Sequence, residues 1–239
     1  MNLLLPKPQA DRNRWQQALA QSGHNLLWVD PWTFEVFEET AEQRTHWLNL
    51  DLFSGVICVS PVAARLLGLA LDRYWPMPPV GVQWWCNGPG TASELLATGL
   101  KPRFPDQGNT AESVLAILGR CSLHGQKWLI VKGEGGRERY PAALSELGAE
   151  VTELCLYRRQ ISAQALPELI QQSAHAQAIL IGSVTLLDAM MSAHPEYWRS
   201  WPGVWLYTSE RLQQCGKAWA LSSGKQINGA SPQALLAAL

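Results

Sequence analysis

What most limits the fold of this chain is an alternation that runs almost from end to end, in which short β-rich runs are each followed by a stretch with helical spacing. That order is the signature of βα units built around mostly parallel sheets. Strands are expected at 3–6, 25–29, 55–59, 80–86, 101–104, 127–132, 178–182, 204–208 and 218–222. Helices are expected from Ala10 to Gln21 with Gly23 as the stop, from about Val62, before Gly99, from Thr110, through Leu147 to a stop at Gly148, up to about Gly216, and from Ser231. Two further segments, 32–36 and 151–157, alternate apolar and polar residues with period two and read as extended strands able to pair as a bridge.

The order of elements recurs. Ser60, Thr91 and Thr110 correspond to Ser183, Thr208 and Ser231, at offsets of 123, 117 and 121 residues. A drift of six residues fits within surface loops. With 239 residues there is room for one large domain or two small ones. The expectation is an α/β protein of two similar parallel-sheet domains, one inserted into the other and joined by a two-stranded linker. The first is discontinuous, 1–34 with 161–239, and the inserted one covers 38–157. Two short linker strands would leave the opening between such domains free to vary.

Composition removes several classes. Hydrophobic residues make up 47% and charged residues 16%, which rules out intrinsic disorder. The formal charge of −1, with no run of basic residues, lacks the stripe that phosphate neutralisation needs, so no nucleic-acid partner is expected. Leu52 to Leu71 imitates a membrane span, but Ser60 and Pro61 break it into a strand and a helix, each too short to cross a bilayer. Three leucines before Pro6 and Lys7 are too few for a signal-peptide core. The five cysteines and five histidines are scattered without metal-ligand spacing, so no metal is expected, and the thiols suit a reduced, cytoplasmic protein.

The sharpest local feature is Lys132-Gly133-Glu134-Gly135-Gly136-Arg137, a glycine-rich turn between a buried strand and a helix. Such a turn presents backbone N–H groups where they bind anions, and Lys132 and Arg137 add positive charge. A dinucleotide fingerprint would need glycine at 138, which is Glu, and a Walker loop would need Gly-Lys-Ser/Thr. A tight turn that merely requires glycines is the competing reading. Ser60, Thr91, Ser183, Thr208 and Ser209 stand at strand ends, the side of a parallel sheet that faces the ligand crevice. Each is also a good N-cap. Tyr157, before Arg158 and Arg159, is either a phenol directed into a site or an amphipathic strand tyrosine. The twelve tryptophans share no spacing and are read as packing.

At Lys132 to Arg137, followed by Leu144 to Gly148, Val151 and Tyr157-Arg158, the chain resembles the uroporphyrinogen-III synthase family, with its Gly-x-Gly-Gly-Arg turn, helix, Gly-x-x-Val step and tyrosine. Further echoes are Leu4 to Pro8, Gly88 to Ala92, Asn109 to Glu112 and the closing Gly229 to Leu236, so the likeness spans the chain. Departures are Pro6-Lys7-Pro8 for the family's Thr-Arg-Pro, Val59-Ser60 for Thr-Ser, and Gly182-Ser183 for the later Thr-Ser. The resemblance implies a lyase of tetrapyrrole biosynthesis that closes hydroxymethylbilane to uroporphyrinogen III without metal or organic cofactor, in two α/β domains joined by a β-ladder. It implies Tyr157 as general acid. The substrate contacts expected are Lys7, Ser60, Thr91, Lys132, Gly133, Gly135, Gly136, Arg137, Ser183, Thr208 and Ser209. A monomer is expected, and a non-catalytic relative binding a small carboxylated ligand is the alternative.

Overall fold

The computed structural model describes residues 1–106, 110–135, 139–221 and 224–239. In chain order the first elements are β1 (Asn2–Pro6), α1 (Arg12–Leu19), β2 (Asn25–Val29), β3 (Trp32–Val36), α2 (Ala41–Leu48), β4 (Gly55–Cys58), α3 (Pro61–Tyr74) and β5 (Gln83–Cys86). Then come α4 (Pro89–Ala97), α5 (Ala111–Leu118), β6 (Lys127–Gly133), α6 (Arg139–Glu146) and β7 (Glu150–Ile161). The last are α7 (Ala165–Ser173), β8 (Ala178–Ile181), α8 (Val184–Ala193), α9 (Pro195–Ser200), β9 (Val204–Tyr207), α10 (Glu210–Ala218), β10 (Gly224–Gln226) and α11 (Pro232–Leu236). Among the described residues no helix is long and apolar enough to cross a membrane, and the apolar stretch 52–71 is divided between β4 and α3.

The chain separates into two compact units, Met1–Thr33 with Gln160–Leu239, and Phe34–Arg159. Unit 1 holds a five-stranded sheet in the order β10-β9-β8-β1-β2, with every neighbouring pair parallel. Successive residues of its strands face opposite layers: Leu4, Ile179, Ile181, Trp205 and Tyr207 enter one core, and Leu3, Leu5, Ala178, Leu180 and Leu206 the other. Unit 2 is built likewise. Its sheet runs β3-β7-β6-β4-β5, with parallel pairing from β7 to β5, and Val56, Cys58, Leu129 and Val131 face one core while Ile57, Trp85, Trp128 and Ile130 face the other. Burial on both faces is why these strands read as continuous apolar runs rather than alternating ones.

β3 and β7 are neighbours in the second sheet and run in opposite senses, with the Phe37 N–H donating to the Leu156 carbonyl at 2.9 Å and the Ser162 N–H to the Pro31 carbonyl at 2.9 Å. In each sheet the strand order reverses beside the first parallel strand, at β1/β8 in unit 1 and at β4/β6 in unit 2. Such a switch point leaves a crevice outside the carboxyl ends of the two strands, where ligands of open α/β sheets bind.

Three expectations need correction. Of the expected strand 218–222, residues 218–221 close α10 instead, and residue 222 lies outside the described residues: Ala220 sits at φ 59, and the Leu221 N–H reaches back 3.0 Å to the Gly216 carbonyl. That is a left-handed helix stop, sealed by Leu221 packing on the core, and the edge strand is β10, Gly224–Gln226. Segment 101–104 makes one bridge, Arg103 with Trp85, because Pro102 and Pro105 supply no N–H to extend a ladder. Thr91 does not end a strand. Gly88 is the N-cap and Pro89 the first residue of α4, which leaves Thr91 buried in the first turn.

Candidate functional site

At the switch point of unit 2, beyond the carboxyl ends of β4 and β6, lies a cavity of about 320 Å³ whose walls include Val59, Asn87, Lys132, Gly133, Tyr140 and Tyr157. Its geometry begins with a bulge. Lys132 pairs with Cys155 but Gly133 pairs with Tyr157, so β7 carries one extra residue at this step. A bulge re-aims the side chain that follows it. Leu156 and Tyr157 are consequently both buried in the same core cluster, which strict alternation would forbid.

The Tyr157 ring lies close against Gly133. A Cβ at Gly133 would stand 2.6 Å from ring carbons, so only glycine admits the ring there. Phe34 meets the ring edge-on at a centroid distance of 5.5 Å, and the Glu134 N–H donates to the Tyr157 carbonyl at 2.7 Å. The phenol oxygen is 2.7 Å from Ser60 Oγ, which also accepts the Ala63 N–H at 3.1 Å as the N-cap of α3. Strand end, glycine turn and helix start thus fix one hydroxyl at the cavity wall.

Among the described residues, the charges that line the cavity are paired. Lys132 binds Glu153, and Arg139 lies 2.7 Å from Glu112. Arg158 grips Glu134 with Nε and Nη2, and that hydrogen bond holds the Glu134 carboxyl below the usual range. Tyr140 donates to Asn87, which donates in turn to the Val59 carbonyl at 3.1 Å, and burial pushes the Tyr140 phenol up. Asn87, Tyr140, Glu153, Arg139 and Glu112 are lining residues that the sequence reading passes over. Asn87 had a usable signal in its place directly after the apolar run of β5, while the others depend on register and packing.

Of the residues expected at a site, Ser60, Lys132, Gly133, Gly135 and Tyr157 gather here, with Gly135 at φ 71 in the turn. Lys132 is committed to Glu153 rather than standing as a free cation. Thr91 lines a smaller hollow that shares Val59 and Asn87. Gly136 and Arg137, like the Asn109 of the expected helix start, lie outside the described residues.

The remaining four belong to unit 1 and lie along the carboxyl edge of its own sheet. Ser183 caps α8 by accepting the Leu186 N–H at 3.3 Å, and Ser209 caps α10 by accepting the Leu212 N–H at 3.4 Å. The Thr208 N–H donates to the Ile181 carbonyl at 3.1 Å. Lys7 follows β1 and holds its ammonium 4.5 Å from the centroid of the Trp15 ring, where burial lowers its affinity for a proton. Capping is therefore what Ser60, Ser183 and Ser209 visibly do, and among the described residues only Ser60 also reaches a second functional group.

Two doubly wound sheets, each with hydroxyl and cationic side chains at its own carboxyl edge, define a two-unit α/β protein of the kind that binds small polar molecules. Residues 13–206 match the family model described as uroporphyrinogen-III synthase HemD. The uroporphyrinogen-III synthase of Escherichia coli (strain K12) is 29% identical over 177 residues, 70% of this chain and 70% of that protein. That of Proteus mirabilis is 23% identical over 160 residues, 66% of this chain and 80% of that protein. Among solved structures, the uroporphyrinogen-III synthetase of Helicobacter pylori 26695 aligns with a TM-score of 0.56 at 11% identity, covering 99% of this chain and 97% of that one. A mutant uroporphyrinogen III synthase from the extremely thermophilic bacterium Thermus thermophilus aligns at 0.54 and 13% identity, covering 99% and 96%. At those identities the structural likeness speaks for the fold. The chain belongs to the uroporphyrinogen-III synthase family, a family of enzymes.

Proposed function

We propose that this enzyme closes linear hydroxymethylbilane to uroporphyrinogen III, with loss of water and inversion of ring D, as a step of tetrapyrrole biosynthesis. The observation that carries the reading is the Tyr157 phenol, pinned by Ser60 and Gly133 at the wall of the unit 2 cavity. Tyr157 gives its proton to the terminal hydroxyl, which departs as water while the pyrrole nitrogen lone pair stabilises the resulting azafulvene cation. The substituted carbon of ring D attacks, and ring opening and reclosure complete the inversion. The proton lost as the last pyrrole regains aromaticity returns to the phenolate, so the sum is substrate to product plus one water.

The substrate's eight carboxylates call for many N–H and hydroxyl donors rather than one strong acid–base pair. Hydroxyls at the cavity wall, among them those of Tyr157 and Thr110, are groups of that kind, and the electron-rich pyrroles leave positioning as the main task of the protein. We also propose that 1–34 with 161–239 form one folding domain into which 38–157 is inserted, and that the enzyme works as a monomer in the cytoplasm, where its free thiols stay reduced.

The test is a coupled assay that generates hydroxymethylbilane in place and separates the type I and type III isomers. Type III product in excess of the uncatalysed control is expected. Type I alone would leave the non-catalytic reading, a protein that only binds a carboxylated ligand.

A further inference from the structure

We infer that Ser60 is a positioning residue for Tyr157, a hydrogen-bond donor that turns the phenol proton toward the reacting hydroxyl and then holds the phenolate. The inference rests on the reading of Tyr157 as proton donor, and it moves Ser60 out of the set of expected substrate ligands. Ser60 Oγ is not a free rotor. Its backbone is extended at the N-cap of α3, Pro61 fixes the first helical residue, and the Ala63 N–H holds the oxygen at 3.1 Å. One lone pair of Oγ is thereby engaged, the hydroxyl proton stays available, and Tyr157 Oη lies 2.7 Å away.

Either oxygen can donate in that pair, but the two arrangements differ in consequence. If Tyr157 donates, its proton is spent on Ser60. If Ser60 donates, a phenol lone pair is filled and the phenol proton is left for the substrate. When that proton transfers, the O–H bonding pair stays on the phenol oxygen, and the Ser60 contact becomes a charge-assisted hydrogen bond. The start of α3, a helix of 14 residues, adds its positive end to the same oxygen. Tyr157 is only 7% exposed, its ring packed against Gly133 and Phe34, so the phenol is held in place beside Ser60.

The test is a double-mutant cycle on the full chain, with hydroxymethylbilane as substrate and the type III isomer as readout. Ser60→Ala is expected to lower kcat by roughly tenfold, the low end for a hydrogen bond to a charged group, with KM nearly unchanged. In a Tyr157→Phe background the same change is expected to cost less than about twofold, because its partner is already gone. Ser60→Thr keeps both cap and hydroxyl and is expected to restore most of the rate. Ser60→Gly is the second deletion if the alanine variant folds poorly, glycine being an accepted N-cap residue.

A substrate-free measurement stands beside the kinetics. In protein labelled with carbon-13 at tyrosine Cζ, the resonance that Tyr157→Phe removes is expected to move in Ser60→Ala and to stay near its place in Ser60→Thr. Equal losses in both backgrounds, a raised KM with unchanged kcat, or an unmoved resonance would overturn the positioning role. An unmodified chain that makes only type I isomer would overturn the reaction itself and the role with it, whereas an active chain with an unmoved resonance overturns the role alone.

Discussion

Tyr157 and Gly133 form a lock in which each residue explains the other. Tyr157→Phe keeps the ring and loses only the proton, so turnover is expected to fall while affinity for a product-like ligand holds. General acid catalysis is worth ~10²–10⁴-fold, and a leaving group already expelled by a pyrrole nitrogen needs less, so the loss is expected at or below the bottom of that range. Rate and melting temperature measured together check this, and full activity at native stability would make Tyr157 structural. Gly133→Ala is expected to do more damage, since its Cβ would press on the ring from 2.6 Å and push the phenol away from Ser60. Both kcat and thermal stability are expected to drop, and an alanine variant with native values would show that the ring has room to yield. The sequence made the glycine turn and the tyrosine legible because both rest on local chemistry. It could not show the bulge that joins them, since period-two spacing along 151–157 puts Leu156 and Tyr157 on opposite faces and only the register against β6 reveals the extra residue.

The elements were readable wherever both sides of a strand are buried, and less so where a helix has little apolar face. Helix α2 illustrates the second case. Thr40 and Gln43 make a full capping box, a signal present in the sequence as Thr-x-x-Gln, yet the body of the helix buries only Trp47 and offers no stripe to extend the reading. The opposite case is 218–221, where apolar residues that close α10 imitate a strand, because a helix stop with a packed hydrophobic residue and a short strand share the same composition. Packing between strands yields its own test at Gly55, the first residue of β4, which stands opposite Trp128 of β6 in the unit 2 sheet. A Cβ there would meet the fully buried Trp128 ring at 2.5 Å, and a rigid indole has no flexible end to swing aside. Gly55→Ala is expected to cost ~1–3 kcal/mol, the usual range for overpacking, read as a lower denaturant midpoint at an unchanged slope. A midpoint equal to that of the parent chain would mean the β4–β6 pair is looser than the register indicates.

At the scale of the whole molecule the chain follows a path that returns on itself. Each unit closes its own two cores: the clusters of unit 2 draw on residues from Trp47 to Tyr157, and those of unit 1 on residues before Trp32 or after Ile161 together with these two. The ends of the middle segment also meet, because the Phe37 N–H bonds to the Leu156 carbonyl at 2.9 Å. A segment with adjacent ends and complete cores has what independent folding requires. Residues 34–159, expressed alone, are therefore expected to unfold in urea as one cooperative transition, with a slope smaller than the summed slope of the intact chain in proportion to the surface exposed. Tryptophan emission reports on both units, since Trp47, Trp75, Trp84, Trp85 and Trp128 lie in the segment and the other seven of twelve lie outside it. The intact chain is then expected to depart from a single two-state transition, its curve containing the midpoint of the isolated segment as one component. A segment that is unstructured alone, or an intact chain that unfolds in one transition coincident by every probe, would show that the two units stabilise each other enough to count thermodynamically as one.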